Sequence, residues 1–268
     1  MVINVIIWYI LLYEGVENLK KWIFAFILII VISLYFIIGQ NNEEISVAIL
    51  DSGVSSKYIK QNITTINFST ENHSKDNHNH GTAISNLVTQ NRTKANFYHL
   101  KVLNNNGETT SSNVEKAIDW CIENNIDIVN ISFGFTNYDH TLSKKLEELV
   151  KSGTIVIASS GNNLGGKSDF PASKSNIVSV GGLDKDLKIS KYSSSGKIDI
   201  YNLSENIESI NNTGKLELFS GNSFATALTT NEIIKMKQSN KGLNSYTLKS
   251  YSNNFKDFKI KTSNGDYK

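Results

Sequence analysis

The chain has 268 residues, enough for one mid-sized domain with a complete core. Its formal net charge of +2 excludes the strongly basic balance of a nucleic-acid binder. The single cysteine excludes an internal disulfide; Cys121 falls on the apolar stripe of an expected helix and reads as core.

Residues 1–43 differ in kind from the rest. Trp22 to Gly39 is an 18-residue run without charge, preceded by Lys20-Lys21. A spanning helix needs about 20 residues, so this run predicts a single-pass anchor. The two lysines would stay in the cytoplasm and place everything after residue 40 outside the cell. The alternative is a cleaved signal peptide and a secreted product. Its apolar region is usually shorter, about 7 to 15 residues, and ends in small residues, whereas this run ends Phe36-Ile37-Ile38-Gly39-Gln40. Val2 to Tyr13 is a second apolar stretch, too short to span; it lies at the interface or upstream of the true start.

From Ile45 onward, β-type apolar runs alternate with helical patterns. Ile45 to Leu50 predicts a strand ending at Asp51, and Asn96 to Leu103 a second. Ser111 to Asn124 predicts a helix, with Val114, Ala117, Ile118, Cys121 and Ile122 on one stripe. Ile126 to Phe133 is a continuous apolar strand. Thr141 to Ser152 is an amphipathic helix capped by Gly153. Thr154 to Ser159 and Ile177 to Leu183 are further strands, and Phe224 to Lys237 a last helix. Continuous strands alternating with helices indicate an α/β fold, a mostly parallel sheet with helices on both faces. Ligands bind such sheets beyond the carboxyl ends of the strands, where Asp51 and the Ser159-Ser160-Gly161-Asn162 turn fall. Residues 44–240 read as the folded domain and 241–268 as a polar tail or edge element.

Three strings carry chemistry: Asp51-Ser52-Gly53, His80-Gly81-Thr82 and Gly221-Asn222-Ser223-Phe224-Ala225-Thr226. A hydroxyl is a weak nucleophile at neutral pH. It needs a His base, and the His needs a carboxylate to fix its tautomer and stabilise the imidazolium. Ser223 opens a helix, where backbone N–H groups and the helix dipole favour a developing anion. Each residue alone has an ordinary reading: a turn Asp, a surface His, an N-cap Ser. His73, His78 and His80 lie close together but match no metal-ligand spacing, so neither metal nor cofactor is expected.

All three strings in the order Asp, His, Ser resemble the subtilisin-like serine proteases (subtilases) over about residues 45–240. The resemblance implies a subtilisin-like fold and a serine endopeptidase with Asp51, His80 and Ser223 as its triad. Val156-Ile157-Ala158-Ser159-Ser160-Gly161-Asn162 is similar to the strand that delivers the oxyanion-hole Asn, here Asn162. Ile128-Val129-Asn130-Ile131-Ser132-Phe133-Gly134 resembles one wall of the S1 pocket. Lys101-Val102-Leu103 through Gly107-Glu108-Thr109 resembles the strand that pairs with the substrate. Ser132, Phe133, Gly134, Gly107, Glu108, Ser159, Ser160 and Gly161 are therefore the implied substrate contacts. Phe170-Pro171 matches the aromatic-Pro pair that follows the S1 base and predicts a cis bond. Asp169 then falls at the floor of S1, where a carboxylate would select Lys or Arg; otherwise it is a solvated loop residue.

The chain departs from the family at Ala83, after His80-Gly81-Thr82, and at Ala227-Leu228 in the nucleophile helix, where Pro-His is common. Only 21 positions separate His80 from Lys101, so the loop that builds the strong calcium site of the secreted enzymes is missing. A few residues separate the apolar run from the Asp51 strand, leaving no room there for a folding prodomain. Together these imply a minimal membrane-anchored protease, a monomer, processing an exported peptide or protein after a basic residue. The alternatives are a catalytically silent protein that binds peptides in the same groove and a membrane protein with a passive α/β domain.

Overall fold

The computed structural model describes residues 21–24, 26–33, 44–90 and 94–252. The chain divides between Glu44 and Ile45 into two units. In the first, residues 21–24 and 26–33 are helical and their apolar side chains, Trp22, Phe24 and Phe26 among them, are exposed. Among the described residues no helix is long and apolar enough to cross a membrane. The second part of the expected span, 34–39, and the Val2–Tyr13 stretch lie outside the described residues.

The second unit is built on a seven-stranded parallel sheet of order β2-β3-β1-β4-β5-β6-β7. Its strands are β1 (Ile45–Asp51), β2 (Ile63–Asn67), β3 (Ala95–Lys101), β4 (Ile128–Ile131), β5 (Ile155–Ser159), β6 (Val178–Leu183) and β7 (Ile200–Leu203). Strands β1, β4 and β5 are buried almost throughout, which explains their unbroken apolar runs: both faces are covered. The uncovered ends differ from the expectation by a few residues. Val102, Leu103, Ser132 and Phe133 lie past the ladder, on the loops that build the site.

Helices α2 (Ser111–Glu123) and α3 (His140–Lys151) cover one face. Each starts at a side-chain cap: Thr110 Oγ1 accepts the Asn113 N–H, and Asp139 Oδ1 accepts the Leu142 N–H at 2.9 Å. Their apolar stripes, including Val114, Ile118, Cys121, Leu142 and Leu146, meet Ala48, Leu50, Val129 and Val156 of the sheet. Helices α1 (Gly81–Thr89) and α4 (Asn222–Ser239) cover the other face, against Val47, Ile49, Phe97, Ile128 and Ile157.

Several elements carry no clear sequence signal. Strands β2 and β7 are short and partly exposed. An antiparallel hairpin, β8 (Ile207–Ile210) and β9 (Leu216–Phe219), leads into α4. A last helix, α5 (Ser245–Ser252), follows Leu243; Leu243 and Leu248 are buried in the same cluster as α1 and α4. Leu243 and Leu248 thus tie this segment to the α1–α4 face. The strand order reverses at β1, which has β3 on one side and β4 on the other. Its carboxyl end is where a parallel sheet opens a crevice for ligands.

Candidate active site

Asp51 is the last residue of β1 and is fully buried. Its Oδ1 accepts the Ser52 N–H at 2.8 Å and lies 2.8 Å from His80 Nδ1. His80 is the N-terminal flank of α1, with its side chain 22 % exposed. The carboxylate thus orients the imidazole from within, and the ring stays only partly exposed. Burial alone would raise the Asp51 pKa, but the charge and hydrogen bond of His80, the nearby His99 and the Ser52 amide together hold it below the usual carboxylate range. Burial alone would lower the His80 pKa; the charge and hydrogen bond of Asp51 outweigh it and hold His80 above its ordinary value. Phe224 stands edge-on to the imidazole, with ring centroids 5.5 Å apart.

The turn that carries Asp51 is fastened on every side. Ser52 Oγ accepts the Gly81 N–H at 3.0 Å and donates to Asp76 Oδ1 at 3.0 Å. The Ser52 carbonyl accepts from the buried Lys101 ammonium at 2.6 Å. Lys101 also pairs with Glu71 at 3.0 Å. Asp76 in turn accepts the N–H groups of His78, Asn79 and Thr82, which shapes the loop into His80.

Ser223 lies in the first turn of α4, where amide N–H groups have no intrahelical acceptor. Gly221 precedes it at φ 139, a backbone that favours glycine. The Ser223 hydroxyl donates to the Ser132 carbonyl at 2.6 Å, and no hydrogen bond among the described residues joins it to His80. Asn162, exposed beyond β5, accepts the Asn222 N–H on Oδ1 at 2.8 Å, which fixes which end of its amide carries the donors. A Cβ at Gly221 would lie 3.2 Å from Asn162 Nδ2, so that donor group sits beside the start of α4.

Asp169 lies between the two expected pocket walls. A Cβ at Gly161 would come within 2.1 Å of its Oδ2, and one at Gly134 within 2.7 Å of its Cβ. Its own N–H donates to the Ser160 carbonyl at 2.9 Å, and its Oδ1 accepts from Asn163 at 3.1 Å. Phe135 and Phe170 exchange backbone hydrogen bonds, and the Phe170–Pro171 peptide is cis. Partial burial raises the Asp169 pKa. Ser132, Ser159, Ser160 and Gly161 are buried; Phe133 is half-buried and Gly134 exposed.

A family model for the subtilase family matches residues 42–264. The chain belongs to the subtilase family. Among curated relatives, it is 27 % identical over 171 residues to the minor extracellular protease Epr of Bacillus subtilis, a match covering 59 % of this chain and 26 % of that protein. It is 26 % identical over 173 residues to subtilisin DY of Bacillus licheniformis, covering 59 % and 63 %, and 26 % identical over 205 residues to subtilisin E of Bacillus subtilis, covering 70 % and 54 %. The chain spans less than two thirds of the length of these relatives. The crystal structure of a cold-adapted subtilisin-like serine proteinase superposes with a TM-score of 0.70 at 21 % identity, covering 85 % of this chain and 88 % of that one. The fold is therefore subtilisin-like.

Within this subtilase, one expectation changes form. The segment from Lys101 to Thr109 is not a continuous strand. β3 ends at Lys101, and Asn104 to Glu108 form a turn closed by the Asn104 N–H on the Glu108 carbonyl at 2.8 Å. Gly107, at φ 77, packs against the His78 ring, and Glu108 is exposed. Two residues, one of them inside the Ser223 string, have roles that the strings do not themselves give. Asp76 has as its only signal a carboxylate four positions before His80. Asn222 Nδ2 donates to the Gly161 carbonyl (2.6 Å) and stands within hydrogen-bond reach of Ser160 Oγ (3.0 Å) and Ser193 Oγ (3.2 Å), tying the Ser223 helix to the Asn162 turn. Among the described residues, no group of three or more His, Cys, Asp or Glu side chains converges to hold a metal ion.

Proposed function

We propose that this subtilase is a serine endopeptidase that cleaves after a basic residue. The reading rests above all on the 2.8 Å contact between buried Asp51 and His80 Nδ1, on a chain that carries Ser223 at a helix start. The Ser223 hydroxyl rotates about Cα–Cβ from the Ser132 carbonyl to His80 Nε2. It gives up its proton there and attacks the scissile carbonyl. Asp51 stabilises the imidazolium that forms. The Ser223 N–H and Asn162 Nδ2 donate to the tetrahedral oxyanion. His80 returns the proton to the leaving amine, and water repeats the sequence on the acyl-enzyme. The Ser132 carbonyl, once vacated, becomes an acceptor for a backbone N–H of the bound peptide.

Specificity follows from Asp169. Its carboxylate is partly desolvated between Ser132–Gly134 and Ser159–Gly161, and one hydrogen bond from Asn163 leaves acceptor capacity over. A substrate Lys or Arg supplies the missing charge. Profiling a peptide library with the parent and Asp169→Gly is the test: the parent cuts after Lys or Arg, and the variant shifts toward apolar residues. A parent that already prefers Leu or Phe overturns the assignment.

The exposed apolar side chains of residues 22–24 and 26–32, continued in sequence to Gly39 without charge, support an anchor that holds the catalytic unit outside the cytoplasm. A tethered enzyme suits processing of an exported peptide or protein. Recovery of the chain with membranes after carbonate washing is expected; a soluble form beginning near residue 40 would show a cleaved signal peptide instead.

A further inference from the structure

A second histidine, His99, lies buried in the sheet behind the Asp51–His80 pair, and the mechanism above makes no use of it. It is on β3, in register with Ile49 of β1 and Thr65 of β2, and it is inaccessible to solvent. Its Nε2 lies 3.0 Å from the Gly53 backbone nitrogen, and its Nδ1 lies 2.8 Å from Ser85 Oγ of α1. A backbone amide can only donate, so Nε2 is the bare nitrogen and Nδ1 carries the proton, donated to Ser85.

Gly53 is two residues beyond Asp51 and holds a φ of 111. A Cβ on Gly81, the residue after His80, would come within 2.2 Å of the Gly53 carbonyl oxygen and 3.0 Å of His99 Cε1. His99, Gly53 and Gly81 are thus one packed stack joining the turn after Asp51 to the start of the His80 helix.

We propose that His99 is a positioning residue: as the neutral Nδ1–H tautomer it grips the Gly53 amide and so sets where Asp51 stands relative to His80. The proposal rests on the triad reading given above. Protonation would turn Nε2 into a donor facing another donor. The charges that face His99 divide. Asp51 of β1 and Asp76 of the loop before α1 favour the imidazolium; Lys101 of β3 and His80 oppose it. Burial is the largest influence, and the His99 pKa falls to about 4. The grip is therefore intact wherever the triad can work.

The test uses two variants of matched length. His99→Gln keeps an acceptor for Gly53 and a donor for Ser85, whereas His99→Met keeps neither. His80 is titrated by NMR in histidine-labelled protein, and kcat and KM are measured on one peptide. In His99→Met the His80 pKa should fall by at least about half a unit toward its ordinary value, and kcat by about tenfold with KM held within about twofold. His99→Gln should stay near the parent in both. Equal effects of Gln and Met, or none from Met, overturn the proposal. If His99→Met fails to fold, the parent decides. Its His99 nitrogen shifts should report a bare Nε2 and a protonated Nδ1, with no titration above about pH 5. An Nε2–H tautomer, or a titration near 6.5, overturns it. The NMR arm is independent of peptidase activity, so an inactive parent would count against the triad reading and leave this one to be judged separately.

Discussion

The two faces of the sheet are built on opposite rules. Beneath α2 and α3 the interface is apolar: Val114, Ala117, Ile118, Cys121, Leu142, Leu146 and Leu149 against the sheet. Beneath α1 and α4 it mixes Val47, Ile49 and Phe97 with buried Thr82, Ser85, His99, Asn130, Thr226, Thr230 and Asn231. Each of these polar groups is matched. Thr226 and Thr230 return hydrogen bonds to carbonyls one helical turn back. Thr230 Oγ1 also donates to Asn130 Oδ1 at 2.8 Å, Asn130 Nδ2 to Ser132 Oγ at 2.9 Å, and Ser132 Oγ to the Ser223 carbonyl at 3.2 Å. One face holds the domain together by area removed from water. The other spends buried hydrogen bonds on aiming the residues at the strand ends, at the cost that any lost partner leaves an orphan.

Substitutions should separate the two rules. The largest effect belongs to the site itself. Ser223→Ala should cut peptidase kcat by roughly 10⁴ to 10⁶ with an unchanged melting curve; a rate within tenfold of the parent would place the nucleophile elsewhere. Asn162→Ala should lower kcat by roughly 10² to 10³ and leave KM nearly alone, since it acts on the oxyanion. Next come two interior changes, one per face. Leu146→Ala should cost about 2–5 kcal/mol in denaturant unfolding and leave kcat per folded molecule unchanged. Thr230→Val should cost only about 1–3 kcal/mol, yet lower kcat, because Asn130 loses its partner and Ser132 its register. Equal effects on kcat from the two changes would erase the distinction between the faces.

The last effect is in pH. His99 binds its proton only near pH 4 when folded but near 6.5 when unfolded, so the unfolded chain holds more protons between those values. Stability should therefore rise as pH goes from about 4 to 6.5, by up to tenfold in the folding constant per unit. Replacing His99 with Gln should flatten that rise in urea melts; a slope unchanged by the replacement would mean that His99 is protonated in the fold.

The apolar face was legible because its helices are stripes: the apolar period alone marks α2 and α3 within a residue or two. The face under α1 and α4 was legible only through its motifs. Helix α4 buries Asn222, Ser223, Thr226, Thr229, Thr230 and Asn231 together with Phe224, Ile233 and Ile234, so no apolar stripe marks it out. Strands β2, β7, β8 and β9 are short and half exposed and give weak alternation. Asp51, His80, Ser223 and Asn162 stand in flanking strings that can be read directly, and the fold joins those strings through Asp51 on His80, His80 beside Phe224 and Asn162 on Asn222. Of the residues that steady them, Asp76 acts mostly on its own loop outside the strings, whereas His99 and Asn222 act through contacts between distant segments, which no local spacing encodes.

The central claim is that His80, held by Asp51, activates Ser223. The most direct measurement is labelling with a fluorophosphonate, mapped by peptide mass spectrometry and followed against pH. Label is predicted on Ser223 alone, absent from Ser223→Ala and His80→Ala. Its rate should fall as pH drops through a midpoint above 6.5, because Asp51 raises the His80 pKa and the imidazolium cannot accept the proton. Labelling at another residue, or a rate on Ser223 indifferent to His80→Ala, would contradict it.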